Sequence, residues 1–140
     1  MFPKALKIFL YYIGKARDAH ANAMSEEYVR RSGRFAKCEM REIQPRRFDL
    51  WAKHTGALKV LLDPAGRALD SAGFTALVEK GQDLVFVIGG ADGLPEDWRR
   101  RADLLLGLTP LTLPHEVARV VLAEQIYRAL TTLRGHPYPR

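Results

Sequence analysis

The sequence predicts an α/β fold in which a mainly parallel sheet is flanked by helices. Residues 58–63, 84–90 and 104–108 form short runs that are apolar almost throughout, which is typical of strands buried on both faces. Segments with helical spacing alternate with these runs, as they do in parallel sheets. The length of 140 residues corresponds to one domain, which we expect to span residues 1–140.

The first half of the chain predicts two strands and one long helix. Residues 6–13 are rich in Ile, Phe and Tyr and predict a strand. We expect no signal peptide there, because lysines interrupt the apolar part and no small-residue cleavage site follows. Residues 18–31 have helical spacing and stop before Gly33, and residues 38–43 predict a short strand. Residues 46–57 show no clear period.

The second half predicts two short helices between its apolar runs. The run at residues 58–63 stops at an Asp-Pro-Ala-Gly sequence, and Ser71 then caps a helix that continues to Lys80. Pro95 suits the first turn of a helix that ends near Arg101.

Residues 115–134 predict the longest helix, whose apolar residues lie largely on one face. Ile126, Tyr127 and Leu130 exceed what a single helix face must bury. They therefore indicate either a dimer interface or a wide contact with the core.

The charge balance indicates a polyanionic partner. Lys and Arg total 22 against 16 Asp and Glu, which gives a net charge of +6. Because cations that contact phosphates release counterions, a small basic domain of this kind often binds nucleic acid. Several arginine clusters suit phosphate contacts, although each alone also fits a solvated surface: Arg30, Arg31 and Arg34; Arg46 and Arg47; Arg99, Arg100 and Arg101.

Several classes of protein are disfavoured by what the sequence lacks. No run approaches the roughly 20 apolar residues of a membrane span, and the single cysteine, Cys38, has no partner for a disulfide or a zinc site. Neither a dinucleotide-binding fingerprint nor a P-loop is present. We expect a cytoplasmic protein without a bound metal. His20 and His54 have no partner pattern, so we expect them at the surface.

Three turns at strand ends predict a ligand cleft, because ligands of open parallel sheets bind beyond the carboxyl ends of the strands. The turns are residues 63–66, residues 89–93 and residues 109–115. Their glycines let the backbone approach a ligand closely, and Pro110 and Pro114 make a rigid wall for a flat ligand. Each turn also fits an ordinary tight connection. Asp63 is either a ligand contact or a turn former, and His115 either a base or a structural group.

Three strings carry a family resemblance: IGGADGL at residues 88–94, LTLPHEVARVVLAEQIYRA at residues 111–129 and GHPYPR at residues 135–140. They resemble the YbeA-like group of SPOUT methyltransferases, which methylate N3 of a pseudouridine in large-subunit ribosomal RNA. The resemblance covers most of the chain and is strongest from residue 58 onward. It implies a knotted trefoil fold, S-adenosyl-L-methionine as cofactor, a homodimer, and the 23S rRNA of the assembled ribosome as substrate.

The resemblance also assigns roles to individual positions. It places cofactor contacts at Leu62, Gly90, Thr109, Pro110, Leu111, Thr112, Leu113 and Pro114. The tail at residues 136–140 is expected near the reacting methyl group. We expect Tyr138 to orient the target base and Arg140 or Arg128 to stabilise the developing anion.

The chain departs from the family pattern at two places. Pro139 stands where the family tail has a histidine, and the region at residues 46–57 is shorter than its counterpart in the family. Two alternatives therefore stay open. One is methylation of another RNA such as tRNA, and the other is a non-catalytic RNA-binding or ribosome assembly factor that retains the cofactor knot.

Overall fold

A computed structural model describes residues 5–138 and contains five strands and five α-helices in that part of the chain. The strands are β1 Lys7–Ile13, β2 Lys37–Ile43, β3 Leu58–Ala68, β4 Leu84–Ile88 and β5 Leu104–Gly107. The helices are α1 Ala19–Ser32, α2 Leu50–Lys53, α3 Ser71–Glu79, α4 Glu96–Arg101 and α5 His115–Leu133, with a short 3₁₀ helix at Pro45–Arg47. The predicted alternation of strands and helices is confirmed.

All the strand pairs are parallel, and the strand order is β2-β1-β4-β3-β5. One face of the sheet packs against α1, α3 and α5 around Leu10, Phe86 and Leu122. The other face is covered by the 3₁₀ helix, α2 and α4 around Tyr11 and Trp98. All five residues of β4 are buried, so its apolar run reflects burial on both faces. The threading of a trefoil knot stays a prediction of the resemblance.

β3 is longer than predicted. The expectation that it stops at the Asp-Pro-Ala-Gly sequence is wrong, because the strand resumes its pairing with β5 at Arg67 and continues to Ala68. The register shifts between Leu62 and Arg67. A Cβ on Gly66 would lie 2.6 Å from the carbonyl oxygen of Leu105. The intervening residues therefore form an irregularity pressed against β5, where only glycine fits.

The predicted cap of α3 needs correction. Asp70, not Ser71, caps α3, and its Oδ1 accepts a hydrogen bond of 2.8 Å from the Gly73 N–H. The hydroxyl of Ser71 instead donates to Gln125 on α5. The unpatterned region at residues 46–57 contains the 3₁₀ helix and α2, which are too short to show a period.

The residues that suggested a dimer interface on α5 belong to the core. Ile126, Tyr127 and Leu130 are all buried within the single chain. These three side chains therefore serve a wide contact with the core and not a dimer interface. Tyr127 packs near Tyr28 of α1 and near Tyr138 of the tail.

One acidic and one basic side chain, Glu116 and Arg119, fix the start of α5 to the segment that follows β1. Glu116 Oε1 accepts hydrogen bonds from the backbone N–H groups of Arg17 and Asp18, at 2.9 and 3.0 Å, and these bonds lower the pKa of Glu116. The fully buried Arg119 donates to Asn22 Oδ1 at 3.0 Å and lies 4.2 Å from the Tyr12 ring. The first turns of α5 therefore have a defined position beside β1 and α1. Within residues 5–138, no helix combines the length and apolar character of a membrane span.

Candidate functional site

A cavity of about 450 Å³ opens at the carboxyl ends of β3, β4 and β5. Its volume lies within the range of roughly 300–1,000 Å³ that is usual for small-molecule sites. Leu62, Ile88, Leu106 and Leu108 give it apolar walls. The cavity lies at the edge of the sheet where the three strand-end turns predict a ligand cleft.

The turn after β4 lines the cavity with glycine backbone that carries no side chains. A Cβ on Gly89 would lie 2.7 Å from the carbonyl carbon of Gly93, and a Cβ on Gly90 would lie 2.8 Å from the carbonyl oxygen of Ile13. Gly93 has a φ of +77°, a backbone conformation that residues other than glycine rarely adopt. Peptide groups of this turn are therefore not shielded by side chains and can bond a ligand directly.

The structure brings together most of the residues to which the resemblance assigns cofactor contacts. Six of these eight positions line the cavity: Leu62, Gly90, Thr109, Leu111, Thr112 and Leu113. Thr109 Oγ1 accepts a hydrogen bond from the Leu111 N–H at 3.2 Å, which shapes the loop. Pro110 and Pro114 do not line the cavity, and Pro114 is the N-cap residue of α5.

The rim of the cavity carries an ion pair that sequence reasoning missed. Asp63 Oδ1 accepts from the Ala65 N–H at 2.8 Å, and Asp63 Oδ2 accepts from Arg99 Nε at 2.9 Å. The Ala65 N–H and the Arg99 guanidinium lower the pKa of Asp63. Arg99 also donates to Glu96 at 3.0 Å. Asp63 thus forms the turn through the Ala65 N–H and is held by an ion pair with Arg99, and both side chains line the cavity. Its contact with a ligand stays a prediction.

A second polar group, which we name the tail cluster, consists of Tyr28, Glu124, Arg128 and Tyr138. Tyr138 donates its hydroxyl proton to Glu124 Oε2 at 2.8 Å, and Arg128 donates to the same oxygen at 2.8 and 3.1 Å. Burial, together with hydrogen bonds to Tyr28 and Glu124, raises the pKa of Tyr138 above its usual range. The Tyr138 hydroxyl therefore stays protonated at neutral pH and acts as a donor.

The tail cluster does not face the cavity of its own chain. None of its four residues lines the cavity, whose last contact on α5 is Ala118. Glu124 follows six residues later, which places it about 9 Å further along the helix and turns it by about 240° around the axis. Arg128 lies another turn away. The expected catalytic residues Tyr138 and Arg128 are thus separated from the expected cofactor contacts, and Arg140 and Pro139 lie outside the described residues.

The remaining histidines differ in their surroundings. His20 is exposed, as expected, whereas the expectation for His54 is wrong. His54 is half-buried, with Nε2 2.7 Å from the Tyr11 hydroxyl and its ring 4.5 Å from that of Phe9. Burial lowers its pKa. His115 lines the cavity. Within the described residues, no group of three His, Cys, Asp or Glu side chains is placed to hold a metal ion.

Comparison with protein families and with individual sequences gives one consistent match. A family model described as predicted SPOUT methyltransferase matches residues 6–139. The ribosomal RNA large subunit methyltransferase H of Solibacter usitatus strain Ellin6076 is 59% identical over 139 residues, which cover 96% of this chain and 100% of the relative. A protein of the same name from Thermus thermophilus is 42% identical over 137 residues, which cover 96% and 99%.

Solved structures of low sequence identity share the fold. A probable methylase family protein from Haemophilus influenzae Rd KW20 has a TM-score of 0.64 at 11% identity, covering 96% of this chain and 71% of its own. An AdoMet-bound rRNA methyltransferase from Sinorhizobium meliloti has a TM-score of 0.58 at 14% identity, covering 91% and 58%.

Proposed function

The chain belongs to the SPOUT methyltransferase family, and we propose that it transfers a methyl group from S-adenosyl-L-methionine to N3 of a pseudouridine in large-subunit ribosomal RNA. The observation that carries this function is the cavity, in which bare backbone and apolar walls meet at the carboxyl ends of three parallel strands. The substrate follows from the relative that is 59% identical over nearly the full chain. We also propose a cytoplasmic location, because assembled ribosomes are the proposed substrate.

The residues at the cavity fit the cofactor. Glycines whose Cβ atoms would collide with backbone leave peptide groups open to a flat adenine, between the apolar side chains of Leu62 and Leu113. Asp92 at the cavity suits a ligand with positively charged groups, whereas Glu96 is paired there with Arg99. The bound cofactor supplies an electrophilic methyl group on a sulfonium sulfur.

The tail cluster has the chemistry that the target base requires. Methyl transfer needs N3 of the base to give its weakly acidic imide proton to solvent water and to lie in line with the methyl group, at about 3–3.5 Å from it. Tyr138 can orient the base by stacking its ring or, once its single hydroxyl proton turns from Glu124 to the base, by donating to a carbonyl oxygen. The Arg128 cation can stabilise the negative charge of the deprotonated imide. Because the pKa of Tyr138 is raised, its role is to orient the base and not to remove the proton.

We infer that a second copy of the chain completes the active site. In one chain the tail cluster and the cavity point in different directions, so the tail of one protomer would serve the cavity of the other. Three large apolar side chains that are strongly exposed in the single chain support such an interface: Met24 at 51%, Val117 at 42% and Leu111 at 74%. Met24 lies on α1 and Val117 on α5, two helices that the hydrogen bond between Asn22 and Arg119 joins.

The function is tested by transfer of labelled methyl groups to ribosomes from cells that lack this gene, followed by nucleoside mass spectrometry. Assembled ribosomes, separated subunits and bulk tRNA serve as parallel substrates. We expect methylated pseudouridine in assembled ribosomes. Label in tRNA alone would move the substrate to another RNA. A protein that binds the cofactor but labels no RNA would favour the non-catalytic factor.

A further inference from the structure

Six exposed cations lie on the side of the sheet that α2 and α4 cover, and we name them the basic strip: Arg41, Arg46, Arg47, Lys53, Arg100 and Arg101. None of them forms an ion pair with an acidic side chain of residues 5–138. On the opposite side, Arg30 and Arg31 pair with Glu27, and Arg128 pairs with Glu124, so that Arg34, which lies over the Phe35 ring, is the exposed arginine of residues 28–36 without an ion pair among the described residues. The positive charge of the basic strip is therefore not neutralised within the described chain.

Aromatic rings hold several cations of the basic strip in place. The Arg101 guanidinium lies 4.2 Å from the centre of the Trp51 ring, and the Arg41 guanidinium lies 5.5 Å from that of Phe48. Lys53 Nζ lies 6.0 Å from the same Phe48 ring. A stacked guanidinium keeps its N–H groups free at the ring edge, so it can still bond a phosphate. Because its orientation is already restricted, it loses less entropy when it does so.

The acidic groups of this layer are largely engaged elsewhere. Asp49 Oδ1 accepts from the Ala52 N–H at 3.1 Å as the N-cap of α2, and Asp103 Oδ2 accepts from the Lys59 N–H at 2.8 Å. Glu39 and Glu42 flank Arg41 on β2, but neither forms an ion pair with it among the contacts of the described residues. The carboxylates of this layer therefore compete little with phosphates for the cations of the basic strip.

The basic strip adjoins the cavity through α4. Arg99 and Glu96 line the cavity, whereas Arg101, two residues further on, lies over Trp51. The ring of Trp51 in turn contacts that of the buried Trp98 at 5.6 Å. An RNA strand whose target base enters the cavity region can thus continue along the strip.

We propose that the basic strip is the surface that holds the ribosomal RNA next to the target nucleotide, chiefly through its phosphates. This inference rests on the proposed function, since it takes ribosomal RNA as the substrate. Separate, unpaired cations beside half-buried aromatic rings suit a nucleic acid backbone with stackable bases. Contacts of this kind set the position and affinity of the RNA without taking part in the chemical step.

The test compares three double variants that each lower the net charge by two. Arg46→Gln with Arg47→Gln and Arg41→Gln with Arg101→Gln remove two parts of the strip, and Arg30→Gln with Arg31→Gln is the matched control on the ion-paired side. Binding to assembled ribosomes and to naked large-subunit rRNA is measured over a range of salt concentrations. Cofactor affinity, KM for ribosomes and kcat are measured in parallel, and thermal unfolding checks each fold.

We expect each strip variant to bind ribosomes and naked rRNA roughly 10-fold more weakly and to reduce the slope of log K against log salt by about 1.5, because two phosphate contacts are lost. KM for ribosomes should rise, while kcat and cofactor affinity stay unchanged. The control variant should change binding by less than about 2-fold. Of the two strip variants, Arg46→Gln with Arg47→Gln is the safer for folding, because both side chains are exposed.

Three results would overturn the inference: unchanged binding in both strip variants, an equal loss in the control, or a loss confined to intact ribosomes, which would indicate a ribosomal protein as the partner. Failure of the proposed function can be distinguished from failure of this inference, because RNA binding is measured independently of methyl transfer. A wild-type protein that binds ribosomes through the strip but methylates nothing would contradict the function alone. A protein that methylates normally with every strip cation replaced would contradict the strip alone.

Discussion

The cavity is shaped mainly by backbone atoms, whereas the tail cluster consists of side chains. The cavity depends on backbone, since Gly89 and Gly90, which line it, lie where a Cβ would meet main-chain atoms at less than 3 Å. The same holds for Gly66, which follows the lining residues Asp63 and Pro64 in the irregular part of β3. The tail cluster depends on side chains, because Glu124 accepts hydrogen bonds from both Arg128 and Tyr138. Glycine substitutions should therefore affect cofactor binding, whereas changes in the tail cluster should affect transfer alone.

The largest expected effect comes from removing the tail. Truncation after Gly135 removes Tyr138 and the residues that follow it, so the base loses its orienting donor. We expect methyl transfer to fall by more than about 100-fold, as when a donor that stabilises a transition state is removed. Cofactor affinity, measured by calorimetry, should stay within about 2-fold of the wild type, since none of residues 119–138 lines the cavity. Unchanged turnover would remove the tail from the mechanism.

Substitution of Gly66 should impair cofactor binding, which truncation of the tail leaves intact. The Cβ of Gly66→Ala would lie 2.6 Å from the Leu105 carbonyl oxygen, so either β3 or β5 must shift. We expect loss of cofactor binding and a free energy of unfolding lower by about 1–3 kcal/mol, the usual range for overpacking. Gly56→Ala is the matched control, because a Cβ there meets nothing within 4 Å. Equal stability of the two variants in urea would contradict the tight contact between β3 and β5.

A milder change separates charge from shape in the tail cluster. Glu124→Gln keeps the size of the side chain but removes the negative charge that holds Arg128 and Tyr138. We expect kcat to fall about 10-fold, since hydrogen bonds to charged groups contribute about 1.5–3 kcal/mol. Cofactor affinity should not change. If kcat matches the wild type, the cluster does not position the groups that act on the base.

The smallest effect concerns pH and lies outside both regions. The pKa of His54 is lowered from its usual 6.5, mainly by burial, so the unfolded chain binds a proton there more readily than the folded chain. The free energy of unfolding should therefore fall as the pH decreases below about 6.5. His54→Gln, which keeps a hydrogen-bonding partner for the Tyr11 hydroxyl, should weaken this fall. Urea unfolding at pH 7.5 and 5.5 measures it; an identical decrease in both proteins would assign the effect to other groups.

Much of the fold could be predicted from the sequence because burial on both faces leaves continuous apolar runs, as in β4. The extension of β3 could not, since it depends on how closely Gly66 approaches β5 in space. The strand-end turns located the cavity, because parallel strands bring their carboxyl ends to one edge. The Asp63–Arg99 pair was missed because it joins residues 36 positions apart. The direction of the tail cluster depends on the rotation of α5, which a motif does not reveal.

Mixed dimers test whether the cavity of one protomer works with the tail of another. The Gly66→Ala chain, which should lack cofactor binding, is mixed with the chain truncated after Gly135, and methyl transfer to ribosomes is measured. Sedimentation must first show that both variants form dimers and exchange. We expect about a quarter of wild-type activity, because half of the dimers are mixed and each mixed dimer has one complete site. Mixed dimers that remain inactive would contradict the account and assign each tail to the cavity of its own chain.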